Sequence, residues 1–354
     1  MNKGLFIKYV LASTFLVSCY SPKENKDAEP VSLTAEIFPL TKYSFNNPYN
    51  CTYINGYLLI EDFDKDYLFK VVNLATGDVT STGKVGDGPG ELKFPSTIYR
   101  LSKPEKLGIN LRPKFLFFEV TLNQFLSGIF QPNLDSTAKV DFNYQKVVKV
   151  NDSTLIGIGI FQSRYVVSDK AGKPLYYFGE YPFKDKLKGK SWQNVAMAYQ
   201  GDIDVKPDGT KIVSTAENAV YLEILSVEFG KKISVHKTIA ETFPDFISEN
   251  QPGIIAASIK PSNIHGFRDI CVTDKYIFAL FSGETYEEVG SLVYAPKNVI
   301  IYDWDGRLIM KLSLSHRVSS IAVDDNCEKL YAITYSAEPR LVSFSLPKEL
   351  SNNF

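Results

Sequence analysis

The chain predicts an all-β fold, a six-bladed β-propeller closed by an N-terminal strand and preceded by a lipoprotein signal peptide. Three observations carry the prediction. Paired apolar runs joined by turn residues recur six times at a spacing near 50 residues. Aromatics make up 13% of the 354 residues, with 21 Tyr and 24 Phe, which favours pleated, half-buried strands over helices. One strand stands before the first unit, and one is missing from the last.

The repeat is clearest at its first turn. The copies are residues 52–60 (TYINGYLLI), 98–109 (IYRLSKPEKLGI), 147–158 (VVKVNDSTLIGI), 203–213 (IDVKPDGTKIV), 270–280 (ICVTDKYIFAL) and 321–333 (IAVDDNCEKLYAI). With Asn55, Lys103, Asp152, Asp208, Asp274 and Asp325 as markers, the spacings are 48, 49, 56, 66 and 51. Second hairpins follow at 67–85, 164–178 and 221–239, with Gly-Asp or Gly-Lys at the turn or a Gly that tolerates positive φ. The last unit has no outer strand of its own beyond 341–345. Residues 32–41 (SLTAEIFPLT) supply the spare strand, and pairing it beside 341–345 closes the ring and covers a free edge.

The N-terminus carries an address. Lys3 and Lys8 precede an apolar run at 10–17, and Leu16-Val17-Ser18-Cys19 ends it. The run is too short to span a bilayer and has the form of an export signal. LVSC resembles a bacterial lipobox, which makes Cys19 the lipidation site and the membrane anchor. The expected domains are residues 1–18 as signal peptide, 19–30 as a flexible polar tether and 31–354 as the propeller. Cleavage removes two lysines and no acid from a chain whose formal charge is −1. There is no basic excess of the kind a duplex nucleic-acid binder shows. Cys51, Cys271 and Cys327 remain, an odd number and a poor disulfide framework.

The stretch 83–95 (GKVGDGPGELKFP), with the lipobox, the length and the repeat, resembles TolB-like six-bladed propeller lipoproteins of the Gram-negative, Bacteroides-type envelope. The resemblance implies a fold and an outer-membrane location, facing the periplasm or the cell surface. It implies no catalytic residues.

Candidate site residues come from loop positions. Gly86–Glu91 has glycines that free amides to cradle an anion, but it lacks the Lys and Ser of a P-loop, and a tight crossover is the competing reading. Asp62, Asp64 and Asp66 alternate like the start of a calcium loop, without its Gly and distal Glu. No G-x-S-x-G and no Cys/His cluster with metal spacing occurs, and no cofactor is implied.

Arginine is scarce, seven against 32 lysines. Strand order puts Arg112, Arg164 and Arg340 in connections between second and third strands, and Arg268 and Arg317 at the start of innermost strands. All five then lie toward one face, with Arg307 toward the other. His265 and His316 fall in links between blades, and Trp192 in the insertion 181–199. These eight residues form a candidate ligand-binding set, since the guanidinium fork suits carboxylate or phosphate. Pairing with acids between blades is the competing reading. Two further long segments, 242–263 and 282–297, enlarge the same face, where function tends to sit.

Two functions are open. One is a non-enzymatic binding or scaffold module that presents one propeller face to an envelope protein or a glycan. The other is a hydrolase or lyase acting on an anionic or sugar-like substrate in the funnel. A funnel with convergent titratable groups favours the second.

Overall fold

A computed structural model describes residues 29–351 except 42, 44, 95, 102–105, 113–115, 131–137, 140–142, 229–231 and 252–253. Cys19, most of the tether and the marker Lys103 lie outside the described residues.

Six antiparallel sheets form the blades, each entered at its innermost strand. The first runs through Pro48–Ile54, Tyr57–Asp62, Tyr67–Asn73 and Val79–Lys84. The second has Ser96–Arg100, Lys106–Leu111, Leu116–Thr121 and the two-residue strand Ala138–Lys139. The third runs from Tyr144–Asn151 to Pro174–Phe178, and the fourth from Ile203–Val205 to Lys232–Ala240. The fifth runs from Phe267–Val272 to Leu308–Leu314. The sixth holds Val318–Val323, Lys329–Thr334 and Leu341–Ser345.

Local chemistry explains the hairpins. Asn55 and Gly56 sit at φ 46° and 78°, the left-handed pair that a two-residue hairpin loop needs to match strand twist. Cys327 takes the same region at φ 54° in the matching turn of the sixth blade.

The core is a ring of layers between blades. The second strand of the third blade, Thr154–Gly159, is buried at all six positions because blades cover both its faces. Ile156, Val166, Ile203 and Leu225 join the third blade to the fourth. Phe278, Leu280, Ile321 and Phe344 join the fifth to the sixth, and Leu58, Ile60, Ala322 and Ile333 join the sixth to the first.

Closure is made by the N-terminal segment, but by less of it than expected. Only Glu36–Ile37 pairs antiparallel with Leu341–Ser345, followed by Phe38 N donating to Leu341 O at 2.9 Å. Val31–Leu33 instead runs parallel to Leu308–Leu314, as a fifth strand of the fifth blade. The segment changes blade at Thr34–Ala35, where Ala35 N donates to Ser315 Oγ at 2.9 Å and Ser315 N donates to Leu33 O. The N-terminal segment therefore staples the fifth blade to the sixth as well as completing the sixth.

The uneven spacings have a cause. The crossover from third to fourth blade carries the helices Lys184–Leu187 and Trp192–Ala198. The next crossover carries an extra hairpin, Phe246–Gln251 with Ile254–Ile259.

Candidate functional site

Four innermost strands share one irregularity. A β-bulge interrupts the ladder between Pro48 and Asn50, Tyr144 and Lys146, Phe267 and Asp269, and Val318 and Ser320. Bulges of this kind re-aim the following side chain. Here those side chains form a polar girdle along the channel, joined by Asp202 just before Ile203–Val205.

The girdle is internally bonded. Ser320 Oγ donates to Asp269 Oδ2 at 2.6 Å, and Ile321 N donates to the same oxygen at 2.8 Å. Cys51 N donates to Ser320 Oγ at 3.0 Å. Asn50 and Ile98 N both donate to Glu61 Oε1, which carries the network from the first blade to the second. Lys146 Nζ pairs with Asp202 Oδ1 at 2.6 Å, joining third blade to fourth.

Electrostatics follow from burial. Burial pushes the Asp204 carboxyl up to about 7, with Asp202 adding repulsion against the backbone N–H of Val205. Glu61 is likewise pushed up to about 7 by burial, despite its hydrogen bonds. Asp269 is raised by burial and by Asp202. Burial alone would lower the Lys146 ammonium, but Asp202 and Tyr99 outweigh it and hold the proton more tightly. The channel cavity, about 70 Å³, takes a few water molecules and is far smaller than a sugar needs. Among the described residues, no group of three His, Cys, Asp or Glu side chains is set to hold a metal ion.

The predicted arginine set does not converge on this channel. Chain topology sends all five to the side of the crossovers, where Arg164, Arg268 and Arg317 are engaged by neighbouring groups and Arg112 and Arg340 are exposed. Arg164 is 1% exposed and donates to Tyr199 O at 2.7 Å, Thr215 O at 2.7 Å and Ser214 Oγ at 3.2 Å. Its guanidinium lies 5.3 Å from the Tyr221 ring centre and 5.7 Å from that of Tyr165. Arg268 pairs with Glu217 at 2.9 Å. Arg317 forms a two-pronged pair with Glu284 at 2.7 and 2.8 Å, and also donates to Leu292 O and Ala295 O.

Glu217 and Glu284 lie in the second-to-third-strand connections of the fourth and fifth blades. Each clamps the arginine that opens the next blade, so the competing reading, acids paired between blades, describes these two. Arg340 is exposed, with Glu338 at 3.7 Å, and Arg112 is exposed at the end of the second blade's second strand. The expectation of a shared anion site on these arginines is therefore corrected: buried carbonyls and glutamates use the strongest donors.

The histidines also stay apart. His265 is buried against Tyr294, ring centres 5.3 Å apart, and burial lowers its pKa. His316 is exposed, with Nδ1 3.0 Å from Ser315 Oγ. The glycine loop is filled by its own acid: Glu91 accepts from Gly88 N at 2.9 Å and pairs with Lys84 at 2.9 Å, where an anion would sit. Asp62 is wholly buried and accepts from Tyr43 Oη, Asn46 N and Asn47 N, while Asp64 pairs with Lys70, so neither is a free calcium ligand.

The crossover face itself carries exposed apolar side chains on a built support. Its base is a cluster of Tyr181, Val195, Tyr199, Tyr221 and Phe246. Asn194 Nδ2 donates to Ala256 O, tying the helix Trp192–Ala198 to the extra hairpin. Asn263 Nδ2 donates to Asn218 O, His265 N to Glu284 O and Glu287 N to Pro261 O, which ties the hairpin's exit to the fifth-blade loop. On this support Trp192 is 42% exposed, Ile247 57%, Ile264 42%, Tyr286 47%, Leu292 40% and Tyr294 41%. Of the predicted set, only Trp192 belongs to this surface as an exposed side chain. Sequence reasoning missed the channel girdle and the other five shelf residues.

Comparison with known proteins bears on the fold. A family model described as TolB-like 6-blade propeller-like matches residues 23–326. No curated protein matches the chain in sequence. Among solved structures, a member of the DUF4221 family from Bacteroides vulgatus superposes with a TM-score of 0.53 at 14% identity, covering 89% of this chain and 97% of its own. A calcium-binding protein, regucalcin, from Agrobacterium tumefaciens gives 0.52 at 11%, covering 90% and 96%. A putative exported protein from Bacteroides fragilis gives 0.51 at 11%, covering 89% and 99%. At these identities the likeness is one of fold.

Proposed function

The chain belongs to the TolB-like six-bladed propeller family, whose description names a fold and no reaction, and we propose that it is an envelope-anchored, non-enzymatic binding module that engages a protein partner through its crossover face. The observation that carries this reading is the tied shelf with its six exposed apolar side chains. Single exposed apolar residues are ordinary, but a grouped set on a rigid support marks an interaction surface. Three of the six are aliphatic. Aliphatic side chains offer a glycan neither a stacking plane nor a hydrogen bond, whereas a protein interface core uses them beside Trp and Tyr.

The anchor belongs to the same reading. Lipidation at Cys19 and the tether hold the propeller near the outer membrane, facing the periplasm or the cell surface. A small channel in which Asp202 and Asp269 are bonded to neighbouring blades supports binding over turnover.

The test is affinity capture from envelope extracts with the propeller and a Trp192→Ser/Tyr286→Ser/Leu292→Ser variant. The reading expects one discrete protein whose recovery falls about tenfold or more in the variant, at unchanged thermal stability. Equal recovery would refute it. Release of the parent propeller's bound partner by free oligosaccharide would shift the partner class to a glycan.

A further inference from the structure

The extra hairpin in the fourth crossover has an open edge. Its two strands pair in simple register, from Phe246 opposite Ile259 to Gln251 opposite Ile254. Lys260 N donates to Asp245 O at 3.0 Å, which makes 245 and 260 a hydrogen-bonded pair. Alternation along an antiparallel ladder then makes 247 with 258, 249 with 256 and 251 with 254 the bonded pairs. The backbone N–H and C=O groups of Phe246, Ser248 and Asn250 therefore point away from the hairpin; Phe246 itself is 2% exposed, so the edge a partner can reach starts at Ser248. Among the described residues, no other backbone hydrogen bond reaches them. The second strand has a neighbour, since the helix Trp192–Ala198 packs on it and Asn194 bonds Ala256 O.

The acids beside this edge are engaged within the same segment, Glu249 accepting from Ser258 Oγ and Asp245 pairing with Lys260 at 2.9 Å, while two lysines are not. Lys190 Nζ lies 4.3 Å from the ring centre of Phe246, and Lys186 Nζ lies 5.6 Å from those of Phe183 and Phe243. Neighbouring lysines are paired, Lys184 with Glu180 at 2.7 Å and Lys188 with Asp185 at 3.1 Å. Lys186 and Lys190 have no carboxylate partner among the described residues. They are cations held against aromatic faces, where attraction to the ring leaves the ammonium open to a second, anionic contact.

We propose that the strand Phe246–Gln251 is a docking edge that takes an extended, acidic segment of a partner protein as a third strand. Unpaired N–H and C=O groups alternating along an edge match another polypeptide in extended form. Ile247 faces solvent and offers apolar contact to one face of the incoming strand. Lys186 and Lys190 select acidic side chains and disfavour basic ones. This inference rests on the crossover face being the partner-binding surface, and it adds the mode and the charge of the partner.

Proline discriminates the mode. At Ser248 it removes an outward N–H and blocks an incoming strand, while the hairpin keeps its own bonds. The probe is a capped heptapeptide alternating valine and glutamate, with a valine–lysine version and an N-methylated version as controls. Binding is read by fluorescence anisotropy, and amide hydrogen exchange is followed at Ser248 and Asn250.

The acidic peptide is expected to bind and to slow exchange at both amides. The basic peptide should bind about tenfold more weakly or worse, and the N-methylated one not at all. Ser248→Pro should lose binding by a similar factor at unchanged melting temperature, and Lys186→Glu/Lys190→Glu should reverse the charge preference. No protection at Ser248, equal binding by Ser248→Pro, or self-association of the protein through this edge would overturn the proposal. Should the Trp192, Tyr286 and Leu292 variant still lose its envelope partner while these tests fail, the binding face stands and the strand-addition mode falls.

Discussion

Replacing Arg164 by alanine probes how this propeller uses its scarce arginines. The side chain is 1% exposed and makes three hydrogen bonds from a charged donor, to Tyr199 O, Thr215 O and Ser214 Oγ. A hydrogen bond to a charged group contributes about 1.5–3 kcal/mol, and an acceptor left unsatisfied in the interior costs about 1–3 kcal/mol. These contributions overlap, because the same bonds are counted from both sides. Two buried carbonyls and a hydroxyl lose their donor, and we expect Arg164→Ala to cost about 3–5 kcal/mol, below the plain sum of the three bonds.

Arg164→Lys keeps a charge and loses the fork, so about half the loss is expected. Arg340→Ala, at an exposed pair 3.7 Å long, should cost about 0–1 kcal/mol. The assay is urea unfolding at fixed pH, with the slope compared between variants. If Arg164→Ala unfolds within about 1 kcal/mol of the parent, the residue is not a structural tie between blades, and its sequence-based assignment to a ligand site is reopened.

Other predictions follow from the same structure. Deleting residues 29–38 should expose the edge of Leu341–Ser345 and give aggregation or a broadened unfolding transition, read by light scattering and circular dichroism. Stability should fall as pH rises from about 4 to about 7 through Asp204 and Glu61: their folded-state pKa values stand above the unfolded ones, so the folded state holds protons that the unfolded state has lost. Buried His265 acts in the opposite sense, losing stability as pH falls. The difference between Asp204→Asn and the parent therefore isolates the carboxyl, and the asparagine variant should be the flatter and, at pH 8, the more stable of the two. Cys19→Ala should move the protein from the membrane fraction to the soluble envelope fraction, and unchanged partition would refute the anchor.

The blades were legible because strand chemistry is local. Apolar alternation and turn pairs such as Asn55-Gly56 specify a hairpin without reference to the rest of the chain. The closure was legible in kind but not in extent, because the change of blade at Thr34–Ala35 depends on Ser315, a contact distant in sequence. The channel girdle was not read, although its signal is present: Asn50, Lys146, Asp269 and Ser320 occupy the third position of their strands. Only the repeated bulge turns that position inward, and a bulge has no residue signature here. The arginines show the opposite failure. Topology assigns them a face, but a face does not say whether a guanidinium meets solvent or the carbonyls of Tyr199 and Thr215.

The crossover face is the centre of this account, and site-specific photo-crosslinking in intact cells tests it most directly. A photoreactive residue at Trp192 or Tyr286 samples the shelf. The same residue at Leu175 or Tyr177, 58% and 51% exposed on the outer strand of the third blade, samples the rim. The account predicts one discrete crosslinked protein from the two shelf positions and none from the rim. Equal crosslinking at both, or none at the shelf, would contradict it.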